Sequence, residues 1–175
     1  MLQTGRLRLR PPVQQDLEFV LDMYSRPEVV RYIGKGEVQT TREQAAARIE
    51  RYGSLFGPAS GVWLVERRAR GAADPEPAGF ALLKPIPLSD GVSGQQDETE
   101  IGWHLHPTAW GQGIASESAQ ALVEHACAQG LARLVAVTHP DNAASQAVAR
   151  RLGMTYRGTT RRYYNTVCEL FDLEL

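Results

Sequence analysis

The sequence predicts an α+β domain, an α/β sandwich in which helices cover a mixed sheet. The chain has 175 residues, of which 43% are apolar and 22% charged, as in one folded globular domain. Segments with the two-residue period of strands alternate along the chain with segments of helical period. A glycine-rich segment, 110–116, lies between a predicted strand and a predicted helix. We therefore expect one domain over residues 1–175.

The first third of the chain predicts one strand followed by three helical pieces. Segment 5–12, GRLRLRPP, alternates leucine with arginine and ends in prolines, which cannot donate to a β-ladder. Segment 14–33 has apolar residues at helical spacing, and Pro27 divides it into two pieces. Segment 40–57 predicts a further helix, with Thr40 or Thr41 as its N-cap.

The middle of the chain changes to strand period. GVWLVERR (61–68) and PAGFALLKP (77–85) predict two strands, and the turn-rich segment between them predicts a hairpin. The following segment, 84–97, is the longest without periodicity, and loops of this length in a compact domain are often functional.

The next strand, TEIGWHLHP (99–107), alternates clearly. One face carries Ile101, Trp103 and Leu105, and the opposite face carries Glu100, Gly102 and His104. His104 and His106 have the spacing of a metal pair, but no third ligand follows at a plausible spacing, so no metal site is predicted.

The last third predicts a helix, a strand, a short helix and a final strand or hairpin. The first helix starts behind the glycine-rich segment and ends at Gly130. ARLVAVTHP (132–140) predicts the strand, and Asn142 or Asp141 caps the short helix. TVCELFDLEL (166–175) predicts the final strand.

The glycine-rich segment is a candidate anion site. Gly111, Gly113 and Ala115 carry no side chain or one methyl, so a diphosphate could reach the amide groups at the helix N-terminus. The simpler alternative is a turn with no ligand. A P-loop would need a lysine that is missing here, and a dinucleotide fingerprint would need a third glycine at Ser116. Asp141 is the acidic residue near the place where that fingerprint needs one, so the dinucleotide alternative stays open.

The composition and charge of the chain limit which classes of binding partner are expected. The 19 basic and 20 acidic side chains give no charge pattern of a nucleic-acid binder. No apolar segment is long enough to span a membrane and no secretion signal begins the chain, so we expect a cytoplasmic protein without a membrane partner. Cys127 and Cys168 are predicted to be reduced thiols in the core. Whether the chain forms a homodimer is left open.

Two longer stretches resemble a known family. Segments 98–117 and 131–158 resemble the acetyl-CoA-binding half of the GNAT acetyltransferase superfamily, and specifically its RimJ/RimL branch. The matching motifs are WGQGIA at 110–115 with Glu117 after it, PDNAAS at 140–145, and LGM at 152–154, where the branch usually has phenylalanine in place of Met154. The opening segment also matches, so the resemblance covers nearly the whole chain.

The resemblance implies a fold, an activity and a cosubstrate. The fold would be a mixed, mostly antiparallel sheet that is splayed at the cofactor site and flanked by helices. The activity would be direct transfer of an acetyl group from acetyl-CoA to a primary amine in a ternary complex, without a metal. The acceptor, a protein N-terminal amine or a small-molecule amine, is not specified by the sequence.

The resemblance also implies which residues bind the cofactor. The backbone at Leu105 would pair with the pantetheine arm, the amides of 111–116 would hold the pyrophosphate, and two residues of the PDNAAS motif would face the arm and the sulfur. An ordinary N-cap is the alternative role of Asn142. The full set is Leu105, Trp110, Gly111, Gln112, Gly113, Ile114, Ala115, Ser116, Asn142 and Ser145.

Catalysis needs an acceptor for the amine proton, a donor for the thioester oxygen and an acid for the thiolate. Glu100 is the candidate base, directly or through a water, and the alternative is a solvent-facing glutamate in an acidic run. A backbone N–H near Leu105 could donate to the oxygen, and His104 could relay a proton. Many family members have a tyrosine acid where this chain has Ala149, so Ser145, Tyr163 or Tyr164 would replace it.

Three alternatives remain from the sequence. The basic residues Arg150, Arg151, Arg161 and Arg162 either meet the phosphates of the nucleotide or form a solvated surface. The absence of a tyrosine at Ala149 suits a CoA-binding regulatory module without turnover. A nicotinamide-dependent oxidoreductase is the third alternative, with the glycine-rich segment as its dinucleotide fingerprint.

Overall fold

The computed structural model describes residues 1–68, 75–93 and 98–175. Within them, eight strands form one sheet in the order β1-β2-β3-β4-β5-β6-β8-β7. The strands are β1 Leu2–Gln3, β2 Leu7–Arg10, β3 Gly61–Arg67, β4 Glu76–Pro85, β5 Thr99–Leu105, β6 Arg133–Thr138, β7 Thr155–Thr160 and β8 Cys168–Glu174. Every predicted strand is present, and the end of the chain forms the hairpin β7–β8. β1 was not predicted, because two residues are too few to show a period.

In the described part of the chain, five α-helices flank the sheet: α1 Leu17–Tyr24, α2 Pro27–Val30, α3 Arg42–Gly53, α4 Ile114–Ala128 and α5 Ala143–Arg151. The predicted division at Pro27 is confirmed, since α2 begins at this residue. Thr41 is the N-cap of α3 and accepts a hydrogen bond from the Gln44 amide. No helix in the described ranges is both long enough and apolar enough to cross a membrane.

The helices form two layers, which confirms the predicted sandwich. α4 and α5 pack on one face of the sheet with a core that includes Leu9, Ile101 and Phe171. α1, α2 and α3 pack on the other face with a core that includes Leu64 and Phe80. One prediction about these layers is wrong: Cys127 is exposed on α4, whereas Cys168 is buried as expected. Cys127 lies one residue beyond the apolar face of α4, so helix periodicity turns it to solvent.

The predicted mixed, mostly antiparallel and splayed sheet is confirmed. β5 and β6 are the parallel neighbours, and the other pairings among the described strands are antiparallel. The β5–β6 pairing covers two residue pairs, Thr99 with Leu134 and Glu100 with Val135. Both strands continue past these pairs without pairing to each other, so the sheet opens between them. We call this gap the split. The doubly wound parallel sheet of a dinucleotide fold is not observed.

Two predicted connections fall partly outside the described residues. These are the turn of the β3–β4 hairpin at 69–74 and residues 94–97 of the long loop. The two strands of the hairpin do pair antiparallel, from Gly61 with Leu83 to Arg67 with Glu76.

A buried ion network fixes the start of the chain to the sheet. The Arg10 guanidinium donates to both carboxylate oxygens of Asp16 at 2.8 and 2.7 Å and to Glu66 at 2.9 Å. Asp16 and Glu66 are both buried. The Asp16 carboxylate also accepts the Val13 amide, so the entry to α1 depends on the same network. The two carboxylates hold the pKa of Arg10 above its usual range, chiefly through the hydrogen bond to Asp16.

We expect Arg10→Ala to lower the free energy of unfolding by about 3 kcal/mol, because it leaves the buried Asp16 carboxylate without its cation and leaves Glu66 with Arg8 alone. Urea denaturation measures the change. Arg42→Ala is the matched control, since Arg42 pairs with Glu18 on the surface, and we expect a loss of under about 1 kcal/mol there. Equal losses for the two variants would contradict this account of the network.

Candidate active site

β5 forms one wall of the split. The His106 amide donates to the Ala78 carbonyl of β4 at 3.0 Å, and the backbone groups of successive strand residues point to opposite edges. The Leu105 amide therefore points away from β4, toward the split. The Leu105 carbonyl accepts the indole Nε1–H of Trp110 at 2.9 Å. The structure thus places Leu105, predicted to pair with the pantetheine arm, at the free edge of its strand.

β6 forms the other wall of the split and ends in a threonine whose hydroxyl is buried. Thr138 is the last residue of β6, beyond the pairs that join this strand to β5. Its side chain is buried, and its Oγ1 has no hydrogen-bond partner in the described part of the chain. A buried hydroxyl without a partner costs about 1–3 kcal/mol. Thr138 is therefore available to bind a polar group of a ligand in the split.

The glycine-rich segment connects β5 to α4, as predicted. Gly111 and Gly113 have φ of +71° and +74°, a conformation that disfavours any side chain. The Glu117 amide donates to the Gly113 carbonyl at 3.0 Å, so the amides of 114–116 precede the first intrahelical bond and have no acceptor within the helix. A Cβ built at Gly111 would meet nothing within 4 Å. This open helix N-terminus is suited to an anion.

Three arginines surround this segment. Arg6 Nη2 donates to the Gln112 carbonyl at 3.2 Å, and Arg67 donates to the Gln112 side chain at 2.5 Å. Arg151 reaches from α5 to the Ser116 hydroxyl at 2.7 Å. Of the four arginines suggested by the sequence, Arg151 is the one with a bond to this segment.

Two of the other predicted arginines have different contacts. Arg150 lies over the Phe171 ring, and Arg162 lies 3.5 Å from the Glu98 carboxylate. Arg6 and Arg67 were missed by sequence analysis, because Arg6 precedes β2 and Arg67 ends β3, both far away in the chain.

An ion pair fixes the first turn of α4. Arg6 and Glu117 form a salt bridge of 2.6 Å, and the Thr4 hydroxyl donates to the same carboxylate. Burial alone would raise the pKa of Glu117, but the hydrogen bonds from Thr4 and Arg6 outweigh it and lower the pKa. Contacts within the protein therefore fix the first turn of α4 without any contribution from a ligand.

α5 begins beside β6 with the predicted motif. Asn142 Oδ1 accepts the Ser145 amide at 3.1 Å, so the N-cap role proposed as an alternative for Asn142 is observed. The Ser145 hydroxyl has no hydrogen-bond partner in the described chain. Ala149, at the position of the missing tyrosine, is buried in the core of the α4 layer. Met154 is buried in the same core.

Glu100 lies on the face of β5 opposite to Ile101, beside Lys84 of β4 and Tyr164 of the connection between β7 and β8. It is buried, which contradicts the alternative of a solvent-facing strand glutamate. Its carboxylate pairs with Lys84 Nζ at 2.7 Å and accepts a hydrogen bond from the Tyr164 hydroxyl. The structure does not bring the two predicted catalytic residues together: Glu100 lies where β5 still pairs with β6, opposite Val135, and Ser145 lies in the first turn of α5.

The two candidate tyrosines both donate to carboxylates. Burial, and then Glu100, raises the pKa of Tyr164, and burial with the hydrogen bond to Glu98 raises the pKa of Tyr163 to about 12. Both are therefore poor acids. Tyr164 has the left-handed φ of 59°, a strained conformation for a bulky residue.

Strain of this kind persists where neighbouring bonds fix it. The next residue, Asn165, also has a left-handed φ, and it bonds the Ser89 hydroxyl and the Asp90 amide across the neighbouring loop. These bonds hold the Tyr164 hydroxyl on Glu100.

His104, in β5, and His106, directly after β5, have separate partners. His106 Nε2 lies 3.0 Å from Asp22 and its Nδ1 lies 2.7 Å from the Thr108 hydroxyl. His104 Nδ1 lies 3.1 Å from the Tyr24 hydroxyl. Among the described residues, no group of three His, Cys, Asp or Glu side chains is placed to bind a metal ion.

A family model and known relatives match this chain. Residues 6–155 match the model described as Acetyltransferase (GNAT) domain. FsC-acetyl coenzyme A-N(2)-transacetylase of Aspergillus fumigatus is 32% identical over 129 residues, which cover 71% of this chain and 52% of the relative. The uncharacterized N-acetyltransferase YoaA of Bacillus subtilis is 31% identical over 126 residues, 71% of this chain and 65% of the relative. The chain thus spans between about half and two thirds of these relatives.

A solved structure has the same fold. It is the RimL ribosomal L7/L12 alpha-N-protein acetyltransferase in complex with coenzyme A. The TM-score is 0.77 at 21% identity, over 98% of this chain and 96% of that chain. At this identity the likeness concerns the fold.

We expect Gly113→Ala to destabilise the protein by about 1 kcal/mol, because an L-residue is strained at its positive φ. Gly53→Ala is the control: Gly53 is the last residue of α3, with open space at its Cβ position, and we expect stabilisation of about 0.5 kcal/mol there. Thermal unfolding of both variants measures the difference. A Gly113→Ala variant as stable as the wild type would show that the turn does not need glycine.

Proposed function

The chain belongs to the GNAT acetyltransferase family, and from this premise we propose that it transfers an acetyl group from acetyl-CoA to a primary amine. One observation carries the proposal: the sheet opens between β5 and β6 directly beside the free amides at the start of α4. A single ligand with an extended arm and a diphosphate would use both features. We assign the chain to the RimJ/RimL branch on the motifs at 110–115 and 140–145.

The residues present fit acetyl-CoA. The glycine-rich segment offers amides of 111–116 and a rim of three arginines to the pyrophosphate. The edge of β5 at Leu105 offers backbone groups to the amides of the pantetheine arm. The buried Thr138 hydroxyl has no hydrogen-bond partner in the described residues, and the arm could supply one. When bound, acetyl-CoA supplies an activated thioester.

Glu100 is the proposed proton acceptor for the amine. Its carboxylate is held in place by the ion pair with Lys84 and by the hydrogen bond that the Tyr164 hydroxyl donates. The amine needs to lose a proton before its lone pair can attack, and Glu100 accepts that proton through water. Ser145, whose hydroxyl has no protein partner, is the proposed donor to the departing thiolate.

The acceptor is proposed to be a peptide α-amine or a small-molecule amine. The names of two similar proteins specify an alpha-N-protein acceptor and an N(2) acceptor. A free α-amine next to a carbonyl group is therefore the first acceptor to test.

We expect acetyl-CoA to raise the unfolding temperature and to release CoA when an amine is added. The assay follows the free thiol with a panel of a short peptide, the same peptide blocked at its N-terminus, an amino-acid amide and spermidine. The unblocked peptide or the amino-acid amide should be the best substrate, and the blocked peptide is the control. Binding of acetyl-CoA without turnover on any amine would favour the regulatory module. Stabilisation by NAD in preference to acetyl-CoA would contradict the proposal.

We expect Glu100→Gln to lower kcat by about 100-fold at neutral pH, the usual contribution of a general base, with the KM for acetyl-CoA unchanged. Glu169→Gln is the matched control, because Glu169 faces Tyr156 and Thr159 in the outer hairpin β7–β8. A kcat that is unchanged in Glu100→Gln would remove this residue from the mechanism.

A further inference from the structure

A chain of hydrogen bonds runs through the α1–α3 layer and ends at His104. Arg48 Nη1 donates to the Tyr52 hydroxyl at 2.7 Å, the hydroxyls of Tyr52 and Tyr24 are 2.9 Å apart, and the Tyr24 hydroxyl is 3.1 Å from His104 Nδ1. Tyr24 and Tyr52 are buried, and His104 is partly buried. Arg48 is fixed in turn by its Nε–H, which donates to Gln39 at 2.7 Å.

Only one direction of proton donation along this chain of hydrogen bonds gives every hydroxyl proton an acceptor. An arginine can only donate, so the Tyr52 oxygen accepts from Arg48 and the Tyr52 proton is free for Tyr24. Tyr24 then donates to His104 Nδ1. In the reverse direction His104 Nδ1–H would donate to Tyr24 and Tyr24 to Tyr52, which would leave the buried Tyr52 proton without an acceptor. Such a loss costs about 1–3 kcal/mol.

This direction fixes the tautomer of His104. A neutral imidazole that accepts at Nδ1 carries its proton at Nε2. Nε2 has no hydrogen-bond partner in the described ranges, so its N–H is available to a ligand.

The imidazole also stays neutral. Burial, and then the positive charges of Arg48 on α3 and Lys84 on β4, lowers the pKa of His104 to about 3. The other titratable groups around it are Tyr24 on α1, Tyr52 on α3 and Glu100 on the same face of β5.

We propose that His104 is a permanent Nε2–H hydrogen-bond donor to the acyl oxygen of the thioester. This inference rests on the proposed acetyl transfer. His104 precedes Leu105 in the part of β5 that has no pairing with β6, so it lies at the split where the thioester is expected. It acts as a donor, which differs from the proton relay that the sequence alone suggested.

The three chemical requirements of acetyl transfer support the role of His104 as a hydrogen-bond donor. The amine proton needs an acceptor, and His104 offers none because Nε2 is protonated and Nδ1 is occupied by Tyr24. The acyl oxygen gains negative charge in the transition state and needs a donor, which a neutral imidazole can be. As the nitrogen–carbon bond forms and the carbon–sulfur bond breaks, one proton of the ammonium group leaves through water to Glu100. Ser145 donates its proton to the thiolate and receives in exchange the second proton that the nitrogen loses, so the serine hydroxyl is restored. His104 keeps its proton throughout.

Two substitutions at His104 test the role. His104→Phe removes the donor, and we expect kcat to fall by about 100-fold, the usual loss for one donor to an oxyanion. His104→Gln keeps an N–H at a similar reach, and we expect it to recover at least about tenfold of that loss. Both should keep the wild-type KM values and the wild-type pH profile of kcat. If His104 were instead a general base, His104→Gln would remove one limb of the pH profile of kcat. If His104 were an anchor for the acceptor, both substitutions would raise the KM for the amine. Either result would overturn the proposal.

The tautomer is measured independently of activity by ¹⁵N NMR of the wild-type imidazole. We expect a pyrrole-type Nε2 and a pyridine-type Nδ1 that do not titrate between about pH 5 and pH 9, well above the range in which this group would protonate. Tyr24→Phe removes the donor to Nδ1, so we expect a mixture of tautomers and a kcat reduced severalfold. A protonated Nδ1 or a titrating imidazole in the wild type would refute the assignment.

The two proposals fail in different ways. A wild-type protein without amine-dependent CoA release would overturn acetyl transfer, and the role of His104 with it. An active wild type, together with an equally active His104→Phe variant, would overturn only the role of His104.

Discussion

The early separation of two parallel strands is the constraint on which the rest of the structure depends. β5 and β6 share two residue pairs and then part, although each continues for several residues. The backbone groups on the parted edges keep their need for hydrogen-bond partners. Within a domain such edges are costly unless another extended chain pairs with them. The unfinished ladder at the split is therefore the feature on which the proposed binding of acetyl-CoA depends.

Chain connectivity places the anion site at this split. β5 continues into the glycine-rich segment and α4, and β6 continues into α5, so both helices begin at the ends where the strands part. The free amides of 114–116 consequently lie beside the opening and not elsewhere on the surface. Arg151 joins the two helices through the Ser116 hydroxyl, and Arg6 holds the first turn of α4 through Glu117. The same contacts that position these helices supply positive charge to a bound diphosphate.

Periodicity and turn chemistry predicted the elements, because both are local properties of the chain. The alternation in 99–105 identified which residues share a face, and the glycines at 111 and 113 identified the helix start. The partners of these residues could not be predicted in the same way. Lys84 meets Glu100 because β4 and β5 pair in one particular register. Arg6 meets Glu117 across more than a hundred residues of sequence, and no local pattern records that contact.

The family resemblance implied cofactor positions that periodicity could not predict, and it was less informative about catalysis. Its tyrosine acid is absent, and both later tyrosines donate to carboxylates. The burial of Thr138 without a partner had no signal in the sequence, since threonine at a strand end is ordinary. Such a hydroxyl becomes visible only when the three-dimensional neighbours are known.

The spacing along β5 limits how the proposed groups can act together. Glu100 and His104 are four residues apart on one face of a strand, a separation of roughly 13 Å between their Cα atoms. An attacking nitrogen and the acyl oxygen lie much closer to each other than that. If the His104 N–H contacts the oxygen, Glu100 cannot also contact the nitrogen, and the amine proton must cross the distance by way of water. The two proposed roles are therefore compatible only in the water-mediated form of general-base catalysis, with Lys84 and Tyr164 holding the Glu100 carboxylate at the far end of the path.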